Sequence, residues 1–445
     1  MISNSNFITT ILNVRESDVE NFYVSNDIDT VSYHITLKRK ALDCPYCHGR
    51  TVGFGHKEKK ISHPALRGKN GYIMYNANRY LCKSCGRTMF EPNPFTFPNF
   101  NSSYLLLDEV MKKLGNLNYT VDMISKELNI STTQINKYLD SYITIPKRPL
   151  PESIGIDKIH SPVLSKKNAS YLCMIVDNER RVLYDILDSR SKNYLSSYVT
   201  SFKREERASV KYVTIDMWEP YKDVAYTFFP NAIVAVDPFH VIEHLCDDFE
   251  KLRISLMNQC IYGSNAYYLL KKWNWLMTKD NVELDNEKVF NHRFKTHLNR
   301  RDILNMIFET FPILKSAYLL KEYYRDFNKD ATYEEANEQF DVILDLFKNS
   351  GIPQYDEFIG VLTNWRTEII NSFKRPYANR KLSNSFTEET NGKIKKYISA
   401  SNGLTNFTRF KNRAIYALDP RIFYALSQNL KTNKIFSKER GKYNK

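Results

Sequence analysis

No run of eighteen apolar residues occurs in the 445-residue chain, so no single helix is expected to cross a membrane. The N-terminus MISNSNFITTILNV also lacks the basic start and small-residue cleavage site of a signal peptide, and a cytoplasmic protein is expected. Internal repeats and low-complexity segments are missing; only the tail KTNKIFSKERGKYNK (431–445) reads as disordered, basic and dispensable for folding. Acid is in deficit. The 50 Asp and Glu residues face 64 Lys and Arg, and the net charge of +14 favours a polyanionic partner, most simply nucleic acid. With 42% hydrophobic and 26% charged residues the composition is globular, and the length predicts two to four domains.

Four of the seven cysteines stand in two pairs, Cys44-Pro-Tyr-Cys47 and Cys82-Lys-Ser-Cys85. Each CxxC presents two thiolates from a tight turn, and two such knuckles complete a four-sulfur structural zinc site (Zn2+). The 34 residues between the pairs are expected to form a loop or small sheet, with His56 and His63 as spare ligands. CPYCH also matches a haem-attachment pattern, but that chemistry requires export, and no signal supports it. Cys173, Cys246 and Cys260 lie in apolar or helical contexts, where a small buried hydrophobe is the default. Residues 1–98 therefore read as a zinc-binding domain, closing in FEPNPFTFPNF, whose three prolines argue against a continuous helix.

Residues 99–150 read as helical. LLLDEVMKKLGNL is amphipathic, and TVDMISKELNISTTQINKYLDSY has the pattern of a helix-turn-helix. The first helix spans Val121 to Leu128, Asn129 and Ile130 turn the chain, and Ser131 caps the second helix. Ile124, Leu128, Ile130, Ile135 and Leu139 form its core, leaving Thr132, Thr133, Gln134, Asn136 and Lys137 to face the major groove of double-stranded DNA. An ordinary helical hairpin has the same pattern; the preceding zinc knuckle and the basic chain favour DNA.

From residue 150 the pattern turns to strands. SIGID ends a strand at Asp157, YLCMIVD and RVLYDIL continue a meander through Asn178-Glu179, and NYLSSYVTSF is helical. VKYVTID then ends a strand at Asp216, a helix follows over about Tyr221 to Phe229, and AIVAVD supplies the fifth strand. The order β-β-β-α-β-α-β is that of a ribonuclease H-like α/β domain. Asp157 and Asp216 thus fall at the carboxyl ends of strands, where open α/β sheets place their chemistry. If their strands are neighbours, two close carboxylates call for a divalent cation, and oxygen ligands suit Mg2+ or Mn2+. An acid also ends many strands simply because a turn begins there.

A two-metal phosphoryl-transfer site normally wants a third carboxylate, and SFTEETNGKIKKYISAS (385–401) offers one at a helix start. Helical periodicity does not choose between Glu388 and Glu389. On the same helix Lys393, Lys395 and Lys396 are placed to hold DNA phosphates, although acids early and bases later also complement a helix dipole.

The ordered set of paired CxxC knuckles, helix-turn-helix, GID, IDMWEPY, FPNAIVAVDPFHV, SNSFTEETNGKIK and GLTNFTRFKNR resembles the bacterial insertion-sequence transposases of the ISL-three type, which carry a DDE triad. The resemblance implies Asp157, Asp216 and Glu388 as that triad, holding Mg2+ or Mn2+, with Asp237 as the alternative second acid. Glu388 is favoured over Glu389 because the family glutamate stands three residues before an asparagine, here Asn391. The glycine usual after that glutamate is Glu389 in this chain. Asp237 and His240 match a further family signature.

The implied architecture is a multidomain α/β chain. A zinc-binding domain (1–98) and a helix-turn-helix (99–150) precede a ribonuclease H-like catalytic domain (151–240 and 381–430) with a helical insertion (241–380) and a basic tail (431–445). The insertion holds Trp273, Trp275 and Trp365, for which core packing is the plainer account beside DNA contact or subunit pairing. The implied activity is cleavage at terminal inverted repeats and transfer of the freed 3′-hydroxyl to target DNA, by a homodimer on nucleoid DNA. The rivals are a non-catalytic zinc-finger/helix-turn-helix regulator and a repair or recombination nuclease of the same fold.

Overall fold

The computed structural model describes residues 12–424, apart from 67, 98, 99, 167, 168, 280, 281 and 378; the basic tail 431–445 lies outside the described residues. The chain divides into two units: residues up to Pro146 together with those from Lys393 onward, and Lys147–Gly392.

In the first unit, buried and half-exposed residues alternate from Gly71 to Ala77 of KNGYIMYNANRYLC, giving that stretch one apolar face, and the alternation shifts by one residue at Ala77–Asn78. A five-stranded sheet results, in which β1 (Val19–Asn26), β2 (Thr30–Leu37), β3 (Thr51–Leu66) and β4 (Lys69–Cys82) run in the order β1-β2-β4-β3. The short β5 (Thr88–Phe90) pairs with β4. Tyr33, Ile35, Ile61, Ile73 and Tyr75 pack into its core. The segment between the cysteine pairs is thus one long β3–β4 hairpin.

Three helices follow: α1 (Tyr104–Leu114), α2 (Val121–Leu128) and α3 (Thr132–Tyr142). Ser103, Thr120 and Ser131 cap them by accepting the backbone N–H groups of Leu106, Met123 and Gln134. Asn129 closes α2 in the left-handed region at φ 47°, a conformation asparagine tolerates better than most residues. Ile124, Leu128, Ile130, Ile135 and Leu139 are buried together with the apolar face of α1.

The second unit is built on β6 (Ser153–His160), β7 (Tyr171–Asp177) and β8 (Val182–Leu187), then α4 (Lys192–Thr200), α5 (Arg204–Ala208), β9 (Tyr212–Ile215), α6 (Glu219–Phe228) and β10 (Ile233–Val236). Sheet order is β10-β9-β6-β7-β8, with β10–β9 and β9–β6 parallel and the other pairings antiparallel. Asp157 does not end β6 as expected. The strand runs three residues further because Lys158, Ile159 and His160 keep pairing with Cys173, Leu172 and Tyr171.

Helices then dominate: α7 (Pro238–Gln259), α8 (Asn265–Lys272), α9 (Trp275–Thr278), α10 (Arg300–Thr310), α11 (Pro312–Asp330), α12 (Tyr333–Lys348), α13 (Asp356–Asn364) and α14 (Arg366–Ser372). They share one continuous apolar core with the sheet, which buries Trp365 and packs Trp273 and Trp275 against its margin. The Asn371 side chain of α14 donates to the Val234 carbonyl at 2.8 Å, so these helices cover the otherwise open edge at β10. No single described helix is long and apolar enough to cross a membrane.

Finally α15 (Ser385–Ala400) begins in the second unit and ends in the first, and α16 (Phe407–Leu418) joins α1–α3. The sequence grouped these residues with the strands; from Lys393 onward they fold with the N-terminal helices. Arg413 is one of the ties, beside Arg409 on Asp140 and Tyr416 on the Met111 carbonyl. Only 1% exposed, Arg413 donates to the Leu114 and Tyr119 carbonyls and, at 3.1 Å, to the Tyr397 hydroxyl. Arg413→Ala leaves those acceptors buried and unpaired, and is expected to cost the first unit about 3 kcal/mol. Thermal unfolding checks this, and Arg413→Lys should restore less than half, since one ammonium cannot span all three acceptors.

Candidate active site and cysteine cluster

The parallel ladders set the site. β6 pairs with β9 as far as Ile156↔Ile215, and β10 pairs with β9 as far as Val236↔Ile215. The next residue on each strand is Asp157, Asp216 and Asp237, so one row past the ladders places three aspartates side by side on the same face of the sheet. They are 6%, 4% and 1% exposed, respectively. Two helix starts complete the group. Asp237 is the N-cap of α7, whose first turn brings His240 within 3.8 Å of Asp216 Oδ1; Glu388 stands in the first turn of α15.

Two overlapping triads form, Asp157–Asp216–His240 and Asp237–His240–Glu388, and in each the potential ligand atoms lie within 4.8 Å of one another. Burial pushes the Asp157 and Asp237 carboxyls up from the ordinary range. Burial, then Asp237, pushes Glu388 up to about 7. At His240 burial opposes a charge, but the carboxylates of Asp216, Glu243 and Asp237 outweigh it and raise its pKa. The cluster is thus short of positive charge, and the Lys158 ammonium lies on Asp216 Oδ2. Asp237 Oδ2 and His240 Nε2 are buried without a hydrogen-bond partner among the described residues. Carboxylate oxygens of this number, with unpaired atoms turned inward, fit a hard divalent cation.

Position is enforced from behind. Asn391 donates to Asp157 Oδ2 at 2.6 Å and the Lys158 backbone N–H to Oδ1 at 2.7 Å. Asn384, fully buried, donates to the Ile156 carbonyl at 3.0 Å and turns its own backbone N–H to Asp237. That approach requires Gly155, where a Cβ would meet Val176 Cγ2 at 2.7 Å, Asn384 Oδ1 at 2.8 Å and Asn178 Nδ2 at 2.9 Å. Gly155→Ala should therefore push away the segment leading into α15, at a cost of about 1–3 kcal/mol. A lower melting temperature, with Asn384→Ala partly relieving it, is the expected observation.

The two adjacent glutamates separate cleanly. Glu388 turns toward the aspartates, whereas Glu389 is exposed and meets Arg181 at 3.3 Å. Lys158 and Asn391 were not read as site residues. Asn391 had a signal, three positions after Glu388 on one helical face; Lys158 had none.

Among the residues expected on DNA, Thr132, Thr133 and Lys137 are exposed on α3, while Gln134 and Asn136 are half-buried. They do not form one face. Thr132 and Asn136 line a cleft with residues 400–406, whereas the Lys137 ammonium sits 4.3 Å from the centre of the Phe100 ring. Lys393, Lys395 and Lys396 are exposed on α15.

The four paired cysteines converge, every Sγ within 4.8 Å of the others, with Cys44–Cys85 at 3.7 Å and Cys47–Cys82 at 3.5 Å. Four sulfurs about 2.3 Å from one ion stand about 3.8 Å apart, so the cluster has the dimensions of a tetrahedral zinc site. Both knuckles make the same turn. The N–H of His48 reaches the Cys44 carbonyl and that of Gly86 the Cys82 carbonyl, with His48 and Gly86 both left-handed. Backbone N–H groups of Cys85 and Ser84 draw the Cys82 thiol down to about 6, toward the thiolate that binds metal. His63 is engaged elsewhere, 2.9 Å from Ser103 Oγ, and His56 meets Arg39 at 3.2 Å; neither belongs to the cluster.

The transposase family model of the DDE, ISL-three type matches residues 154–414, more than half of the chain. No curated protein matches it.

Proposed function

The chain belongs to the ISL-three family of DDE transposases, and from that premise we propose that it cleaves DNA at the terminal inverted repeats of an insertion sequence and transfers the freed 3′ ends to target DNA. The observation that carries this reading is the row of Asp157, Asp216 and Asp237 joined by His240 and Glu388. A regulator that only binds DNA has no use for four clustered acids, three of them buried, that share one lysine and one histidine. The strand order and directions support a ribonuclease H-like catalytic core.

Asp157, Asp216 and Glu388 are the acids assigned to hold Mg2+ or Mn2+, with Asp237 and His240 between them; Glu389 is left to Arg181. Bound there, divalent ions supply a nucleophile activated from water or a 3′-hydroxyl and charge stabilisation at the leaving oxygen. The chain's own part is positional. Asn391 and the Lys158 N–H fix both oxygens of Asp157, and the Lys158 ammonium balances the charge of Asp216. The cysteine cluster is assigned structural zinc, and α2–α3 the role of a helix-turn-helix that reads the repeats. Two ends must be joined, so a homodimer on DNA is expected.

The test is cleavage of a labelled duplex carrying the element's own terminus, with Mg2+ or Mn2+ against a chelator control. Ion-dependent nicking at the repeat boundary is expected. Binding without cleavage in every condition would shift the assignment to the regulator, and cutting indifferent to end sequence would shift it to a repair nuclease.

A further inference from the structure

The segment SNGLTNFTRFKNR is not used by the acidic site, yet it is held firmly against the helices assigned to DNA. Arg409 grips Asp140 of α3 through two contacts, Nε–Oδ1 at 3.0 Å and Nη2–Oδ2 at 2.7 Å. Asn406 caps α16 by accepting the Arg409 N–H at 3.0 Å, and buried Arg413 ties the same helix to the ends of α1 and α2. The loop 401–406 therefore has a set position beside the start of α3.

Between them lies a cleft of about 520 Å³. Thr132 and Asn136 of α3 line it together with Ser401, Asn402, Thr405 and Arg409. Among the described residues none pairs with the side chains of Thr132, Asn136, Asn402 or Thr405, and Ser401 Oγ is buried without a partner. Two acids, Asp122 in the cleft lining and Asp140 beside it, are each matched by a cation, Asp122 by Lys126 at 2.7 Å and Asp140 by Arg409. Neutral amides and hydroxyls with open donors and acceptors are the groups that read base edges, and the first turns of the second helix are where a helix-turn-helix meets them. An unmatched Asp140 on that face would repel phosphates; the Arg409 pair removes the obstacle.

We infer that loop 401–406 is a second sequence-reading element for duplex DNA, working beside α3, so that the far end of the catalytic polypeptide shares in choosing the DNA end. This rests on the proposal that α2–α3 read terminal repeats. In it, Thr132 and Asn136 contact the central base pairs of the site, and Asn402 and Thr405 contact pairs flanking them.

Selection of bound sequences from a randomised duplex pool, using the full chain loaded with zinc, tests this. Wild type should yield a motif with central and flanking positions. Asn136→Ala should relax the central ones; the double variant Asn402→Ala/Thr405→Ala should relax only the flanking ones and weaken the selected site about tenfold. Arg409→Met should weaken binding to every sequence alike. Asn402 and Thr405 are exposed loop residues, so their loss should leave the melting temperature unchanged. An unaltered motif and affinity in the double variant would overturn the inference while leaving the helix-turn-helix reading intact. Failure of the wild type to select any motif would instead remove that reading, and the inference with it.

Discussion

Asp157→Asn should abolish strand cleavage, by about 10³-fold or more, while duplex affinity stays within about threefold. The substitution keeps the shape and one of the two donors, Asn391 or the Lys158 N–H, but removes the charge that a divalent ion needs. Asp157 shares a triad with Asp216 and His240, and its charge also acts on Glu388, so its loss is felt beyond a single pair. The same outcome is expected for Asp216→Asn and Glu388→Gln, and Glu389→Gln should cleave nearly as well as wild type, since Glu389 faces Arg181.

Asn391→Ala provides the graded comparison. It touches no reacting atom; it holds Asp157 Oδ2 at 2.6 Å, so its removal loosens an acid that is still charged. A loss of about 10–100-fold is expected, partly recovered by raising Mn2+, because such supporting contacts tune metal affinity rather than supply it. Single-turnover cleavage across a metal titration, with binding measured separately in chelator, distinguishes the two classes. Full cleavage by Asp157→Asn, or equal damage from Glu388→Gln and Glu389→Gln, would end the assignment.

What the sequence revealed of this site follows from where its signals are local. Apolar runs closing in Asp157, Asp216 and Asp237 are short-range patterns, and two crossover connections suffice to bring the strands together. The α2–α3 turn was equally legible, because Asn129 and Ser131 mark a helix end and a helix start within three residues. The strands β1 and β2 were missed: β1 buries no residue fully, and its polar alternation resembles a loop. The 16-residue β3 carries His, Lys and Glu through its middle, so the hairpin was expected only as a loop or small sheet. Hardest was α16. Arg413 contacts Leu114 across 299 positions, and an arginine in FTRFKNR reads as a solvent-facing cation until its acceptors are known.

Loss of metal from the cysteine cluster, by Cys82→Ser or by chelation, should untie one end of the β3–β4 hairpin and leave its middle standing. The cluster clamps the end where Thr51 pairs with Cys82, and both knuckle turns flank that pair. Structural zinc contributes apparent binding free energies of about 10–16 kcal/mol in small zinc domains, enough to decide whether these two turns form at all. The middle has its own support. Tyr33, Ile35, Ile61, Ile73 and Tyr75 are each at most 2% exposed, and burying five such side chains is worth roughly 7–15 kcal/mol before chain entropy is charged. The expected result by hydrogen exchange is fast exchange at residues 44–53 and 80–90, with protection kept at 31–37 and 73–77. One zinc per wild-type chain should fall to none in Cys82→Ser and stay at one in His63→Gln, since His63 is engaged by Ser103. Loss of protection through the whole sheet would mean that the metal, and not the apolar face, holds this domain together.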